Sequence, residues 1–183
     1  MLANIAVGLL ESASIAKGIE SADAMCKMAS VKLARAGVIA RGKYVIIITG
    51  PVGEVESSLR AGRQMLGQSL IDEVLIRNVH GQVLATLDKR VPVEELGALG
   101  VIETKDAVAT VRAADAAAKA ASVTLIETKT SVGGGKGYVS MVGEVGAVRS
   151  AVAAGIGAVP EAGVVSYVVI PQADRQLLEP VGR

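Results

Sequence analysis

Residues Ala6–Val38 read AVGLLESASIAKGIESADAMCKMASVKLARAGV, and residues Ala98–Thr130 read ALGVIETKDAVATVRAADAAAKAASVTLIETKT. These are two versions of one segment. At an offset of 92, Ala6, Gly8, Glu11, Ala22, Asp23, Ala24, Lys27, Ala29, Ser30, Val31 and Leu33 all meet identical residues. One residue is gained near Gly133–Gly135, and the offset becomes 93. GKYVIIITGPVGEVESSL from Gly42 then aligns with GKGYVSMVGEVGAVRSAV from Gly135. Self-similarity over this length marks a tandem duplication of one folding unit. The join falls in Asp88–Leu96, DKRVPVEEL, a charged stretch carrying Pro92. The expected domains are therefore residues 1–90 and 96–183.

Each copy carries the same succession of patterns. A first strand is expected at Ile5–Leu10 and at Leu99–Ile102, closing on Glu11 and Glu103. A helix follows, opened by the N-cap types Ser14 and Asp106 at equivalent positions. Ile15, Ile19, Ala22, Cys26 and Ala29 fall on one helical face, which predicts a buried Cys26. A second strand starts near Val31 and Val123. A glycine-containing turn leads to a β-branched third strand, Tyr44–Thr49 or Tyr138–Val142, broken by Gly50 or Gly143. A second amphipathic helix uses Val52, Val55, Leu59 and Leu66, or Val145, Val148, Val152 and Ile156. Strands at Ile71–Ile76 and Val164–Ile170 and a short polar tail helix complete the copies. The fold class is α/β of the α+β kind: two tandem ferredoxin-like βαββαβ domains, each an antiparallel sheet with helices on one face.

Composition narrows the function. The 183 residues carry 19 Lys plus Arg against 18 Asp plus Glu, a formal charge of +1. That balance argues against nucleic acid and an anionic membrane surface as partners. Apolar residues make up 51% and the mean hydropathy is +0.48, so disorder is excluded. Aromatic residues are 2%, with neither Phe nor Trp, so Ala, Val, Ile and Leu must build the core. High hydropathy from such small side chains points to apolar surface buried between subunits. The one cysteine, Cys26, allows no internal disulfide, and the expected compartment is a reducing interior. The one histidine, His80, leaves no histidine-based catalytic or metal cluster within a chain. No apolar run approaches a membrane span. The opening MLANIAV lacks a basic leader and is read as mature and cytosolic.

The segments AVGLLES and ALGVIET, DAMCKMASV and DAAAKAASV, and the glycine–lysine strands ending in GPVGEV and GEVGAV resemble the bacterial microcompartment (BMC) shell domain. Two non-permuted copies in one chain resemble the tandem-domain, trimer-forming class, nearest the T type of propanediol-utilisation microcompartments. That resemblance implies a homotrimer arranged as a pseudohexameric tile with a central pore. It implies edge-to-edge contact with other BMC shell proteins, passage of small metabolites, contact with encapsulated enzymes, and location in a microcompartment shell in the cytoplasm.

Under the same resemblance, the turn between the second and third strands lines the pore. Its residues are Ala40, Arg41 and Gly42 in the first copy and Gly133, Gly134 and Gly135 in the second. Three Arg41 side chains would favour anions. Members of the T type hold an iron–sulfur cluster through a cysteine at the position of Ala40. Alanine offers no ligand atom, so no cofactor or metal is expected. Lys27 and Lys119 match the family's edge lysine. The bare reading of each is a solvated acid–base pair with Asp23 or Asp115 four residues earlier. The family's second edge element follows the last strand. Here it reads Asn78-Val79-His80-Gly81 and Ile170-Pro171-Gln172-Ala173, without its arginine, and Arg77 and His80 are the remaining edge candidates.

Enzymatic readings are weak. Gly37–Lys43 fits the glycine–lysine part of a phosphate loop, but Tyr44 stands where a hydroxyl for the metal is needed, and a strand follows where a helix is required. No serine has a nearby histidine or elbow motif. No catalytic residue is therefore assigned. The alternative is a small-ligand regulatory module, since ferredoxin-like repeats also build sensors, and fold does not decide function.

Overall fold

The computed structural model describes residues 5–182; the leader reading rests partly on residues 1–4, outside that range. The chain divides into two compact units, Met1–Val79 and His80–Arg183.

The first unit runs β1 (Ile5–Ser12), α1 (Ile15–Met28), β2 (Lys32–Ile39), β3 (Lys43–Pro51), α2 (Val52–Leu66) and β4 (Leu70–Ile76). Its sheet is antiparallel in the order β2-β3-β1-β4. The second unit begins with α3 (Gly81–Thr86), then repeats the series as β5 (Ala98–Thr104), α4 (Ala107–Ala120), β6 (Thr124–Lys129), β7 (Gly137–Gly143), α5 (Val145–Gly157) and β8 (Val164–Ile170). Its sheet order is β6-β7-β5-β8. Both copies are thus the expected βαββαβ fold. Even the irregularities recur: β2 bulges between Leu33 and Arg35, and β6 bulges between Leu125 and Glu127.

The helix starts form as their residue types require. Ser14 accepts a hydrogen bond from the Lys17 N–H, and Asp106 accepts one from the Ala109 N–H at 2.7 Å. Each satisfies a backbone donor that the first helical turn leaves free. The first core joins Leu10, Ala22, Met25, Tyr44, Ile46, Ile48, Val55, Leu59 and Leu66. In the second, Leu177, Leu178 and Val181 of the tail pack with Leu96, Leu99, Ile126 and Val142.

The buried face of α1 is not the expected one. Cys26 is exposed, and Ile15 and Ile19 are exposed with it. The buried row is Gly18, Ser21, Ala22 and Met25. Small residues form this row because the sheet and α2 approach closely. A Cβ on Gly18 would lie 2.5 Å from Tyr44 Cδ1, and the Ser21 hydroxyl donates to the Gly62 carbonyl at 3.0 Å. In the second copy the same space is filled from the other side. Thr110 stands at the position of Gly18 and Gly137 at that of Tyr44, and a Cβ on Gly137 would lie 2.0 Å from Thr110 Oγ1.

Residues 80–91 pack within the second unit, alongside β6. Asp88 N–H donates to the Thr128 carbonyl at 2.9 Å, and Val91 N–H to the Ile126 carbonyl at 2.8 Å. The Asp88 carboxylate accepts from Thr130 N–H and from its hydroxyl. The stretch expected to be a plain linker is therefore bonded along a strand edge. The tail helix α3 is also not simply polar, since Val83 and Thr86 are buried.

Candidate functional site

Ala40, Arg41 and Gly42 form one tight turn between β2 and β3; Gly133, Gly134 and Gly135 form its counterpart between β6 and β7. Both turns hold two successive residues in the left-handed region: Arg41 (φ 65°) with Gly42 (φ 70°), and Gly134 (φ 79°) with Gly135 (φ 85°). The glycine turn adopts this without a Cβ penalty. Arg41 does not, and its conformation costs about 1–2 kcal/mol. The cost leaves Arg41 exposed and without an ion pair among the described residues, beside exposed Val38. Each turn sits over a carboxylate–lysine pair: Lys43 with fully buried Glu11 at 2.6 Å, and Lys136 with Glu103 at 2.8 Å.

The candidate edge residues fall into unlike settings. Lys27 pairs with Asp23 at 2.6 Å, with both side chains well exposed at 74% and 59%. Lys119 pairs with Asp115 at the same distance, but Asp115 is only 10% exposed. The difference comes from the chain after β4. His80 N–H donates to Asp115 Oδ1 at 2.8 Å while Lys119 holds Oδ2. The structure thus brings His80 and Lys119 onto one carboxylate. His80 is itself a helix cap, its Nδ1 accepting from Gln82 N–H. Arg77, in the first unit, binds Glu56 at 2.9 Å.

Exposure differs systematically between matched positions. Ile19 is 55% exposed and its counterpart Val111 is 1%; Val38 is 58% exposed and its counterpart Thr130 is 0%. Ile15 and Leu33 are likewise exposed where Ala107 and Leu125 are buried. The opposite sheet face shows the reverse. Leu9 and Val45 are fully buried, whereas their counterparts Val101 and Tyr138 are partly open. That second-copy face holds a cavity of about 340 Å³ lined by Arg90, Glu103, Glu127, Tyr138 and Pro180 among others. Tyr138 donates its hydroxyl to Glu127 at 2.5 Å, and Arg90 reaches the same oxygen at 3.3 Å. Desolvation, then the Glu127 hydrogen bond, pushes the Tyr138 phenol above its usual value. Among the described residues, no group of three or more His, Cys, Asp or Glu gathers to hold a metal. No described helix is long and apolar enough to cross a membrane.

These exposed apolar rows were not visible in sequence, because residue type does not decide exposure at matched positions: Leu33 is open where Leu125 is buried, and apolar Val38 is open where Thr130 is buried. The BMC domain model matches residues 6–79 and again 98–173. The chain belongs to the BMC-domain family. This BMC-domain chain is 37% identical over 169 residues to the bacterial microcompartment shell protein PduT of Citrobacter freundii, covering 91% of this chain and 92% of that protein. A crystal structure of a microcompartments protein from Desulfitobacterium hafniense superposes with a TM-score of 0.90 at 42% identity, covering 97% and 99% of the two chains. The carboxysome shell protein CsoS1B of Halothiobacillus neapolitanus is 48% identical over 82 residues, 43% of this BMC-domain chain and 74% of that protein.

Proposed function

We propose that this BMC-domain protein is a structural element of a microcompartment shell, a homotrimer whose six domains surround a pore. The observation that carries the reading is the exposure mismatch between copies. The first copy leaves Ile15, Ile19, Leu33 and Val38 open at positions where the second copy is buried. On the opposite sheet face the second copy leaves Val101 and Tyr138 partly open where the first buries Leu9 and Val45. A surface open on one repeat and complementary to a face open on the other makes a head-to-tail contact, which closes into a ring when the rotation permits. Two domains per chain give a pseudo-six-fold ring at three chains. The shell proteins among its relatives support the same role.

In this ring the Arg41 turns alternate with the glycine turns around the pore. Small metabolites cross between the cytoplasm and the compartment, and the edge residues Lys27, Lys119, Arg77 and His80 meet neighbouring shell proteins. Chemistry belongs to the enclosed enzymes, and the plate itself is no enzyme.

Native mass spectrometry tests the assembly, with a trimer expected at micromolar concentration. Ile19→Asp is expected to give folded monomers, because a carboxylate would be buried without a partner. A wild-type monomer or dimer with a saturable small-ligand site would overturn the ring and favour a sensor. Arg41→Glu tests the pore. Three reversed charges near one axis are expected to shift the preference from small anions to small cations by about tenfold or more at low salt. Unchanged selectivity in a tile conductance measurement would remove Arg41 from the pore.

A further inference from the structure

The repeat extends past the last strand of each copy, into the segments GQVLATLD from Gly81 and RQLLEPVG from Arg175. Backbone bonds establish the match. Val79 N–H donates to the Ile5 carbonyl at 3.0 Å, and Ala173 N–H donates to the Gly97 carbonyl at 2.9 Å. The cap residues then correspond, His80 to Asp174. Each side chain accepts from the backbone N–H of a glutamine two residues on, Gln82 or Gln176. This places the match two residues later than Ile170–Ala173 alone suggested.

Gln82 has a defined task. Its Nε2 donates to the Val123 carbonyl at 2.9 Å, and its Oε1 accepts from Leu125 N–H at 2.7 Å. The amide thereby closes two backbone groups on the outer edge of β6, just before the bulge. Backbone groups on such an edge otherwise stay open to any passing strand. β2 is the matching edge strand of the first unit, with Val31 and Leu33 at the positions of Val123 and Leu125 and the same bulge after Leu33. Leu33 pairs with Ile48 on β3 as Leu125 pairs with Met141 on β7, so it holds the same register position on its edge strand, and its side chain is exposed. Gln176 is exposed too, and its side-chain amide makes no hydrogen bond among the described residues.

We infer that Gln176 of one chain clamps the Val31–Leu33 edge of a second copy of this chain, as Gln82 clamps Val123–Leu125. The inference rests on the ring proposed above and names the contact that joins its chains. Leu177 follows Gln176 as buried Val83 follows Gln82, so the same docking would cover an apolar side chain now half-buried.

Hydrogen–deuterium exchange on the assembled protein tests it, comparing peptides over residues 30–36 and 122–128. Gln176→Ala is expected to speed exchange at Leu33 by about tenfold, the value of one to two net hydrogen bonds, and to weaken the trimer by a similar factor. Leu125 should stay protected. Gln82→Ala should do the reverse, and Gln176→Glu, which keeps the acceptor and loses the donor, should fall between. A wild-type trimer in which Gln176→Ala leaves Leu33 exchange unchanged would overturn the clamp and leave the ring standing. A wild-type monomer would overturn both.

Discussion

Gly18→Thr is expected to unfold the first copy, and Gly18→Thr combined with Tyr44→Gly is expected to fold it again. The two copies fill one space from opposite sides, with a tyrosine reaching over a glycine in the first and a threonine over a glycine in the second. Three atoms of Tyr44 lie at 2.5–2.6 Å from a Cβ built on Gly18. Those include its own Cβ, so no rotamer change clears the clash. Overpacking usually costs about 1–3 kcal/mol, and a rigid neighbour places this case at about 3 kcal/mol or beyond. Removing the ring opens the space that Thr110 occupies beside Gly137 in the second copy, where the Thr104 and Thr110 hydroxyls lie 2.7 Å apart. The double variant still loses the burial of Tyr44, so it should not reach wild-type stability. Urea unfolding of the four chains of the cycle should give a coupling of about 2 kcal/mol or more. Additive effects would mean that the two copies pack their first helices independently of this exchange.

Lys27→Asp is expected to leave trimers intact and abolish extended sheets. Asp23 and Lys27 are exposed, so the new like-charge pair costs the fold only a few tenths of a kcal/mol. At a tile edge, the same change sets a carboxylate against a neighbour that met an ammonium. Lys119→Asp makes a less clean test. Its partner Asp115 is nearly buried and also receives His80 N–H, so a second carboxylate there should cost the second unit about 1–3 kcal/mol. Electron microscopy of the Lys27→Asp chain, beside native mass spectrometry, separates assembly within the tile from assembly between tiles. Sheets of ordinary extent would withdraw Lys27 from the edge.

The repeat made the element order legible without coordinates, because two independent copies of each pattern agree. Caps and turns were equally legible, since Ser14, Asp106 and the glycine turns act on backbone groups within a few residues. The face of α1 was not. Hydrophobic periodicity favours large side chains, and here the close face is Gly18, Ser21 and Ala22 while Ile15 and Ile19 turn outward. Residue size signals burial only where helix and sheet stand at ordinary distance. The Gln82 clamp and the Asp88 bonds to Thr130 were hidden for another reason. They join residues some forty positions apart through single polar side chains, which leave no period to read.

Asp115 is held at both oxygens, by an ammonium and by a main-chain donor, whereas Asp23 meets only Lys27 among the described residues. Around a closed three-chain plate, cations paired to a twice-held carboxylate would therefore alternate from side to side with cations paired to a singly held, exposed one. Turning such a plate by a sixth of a revolution exchanges one kind of rim for the other. Neighbours that prefer one kind would register the plate's orientation, giving the array a direction that six identical domains could not encode.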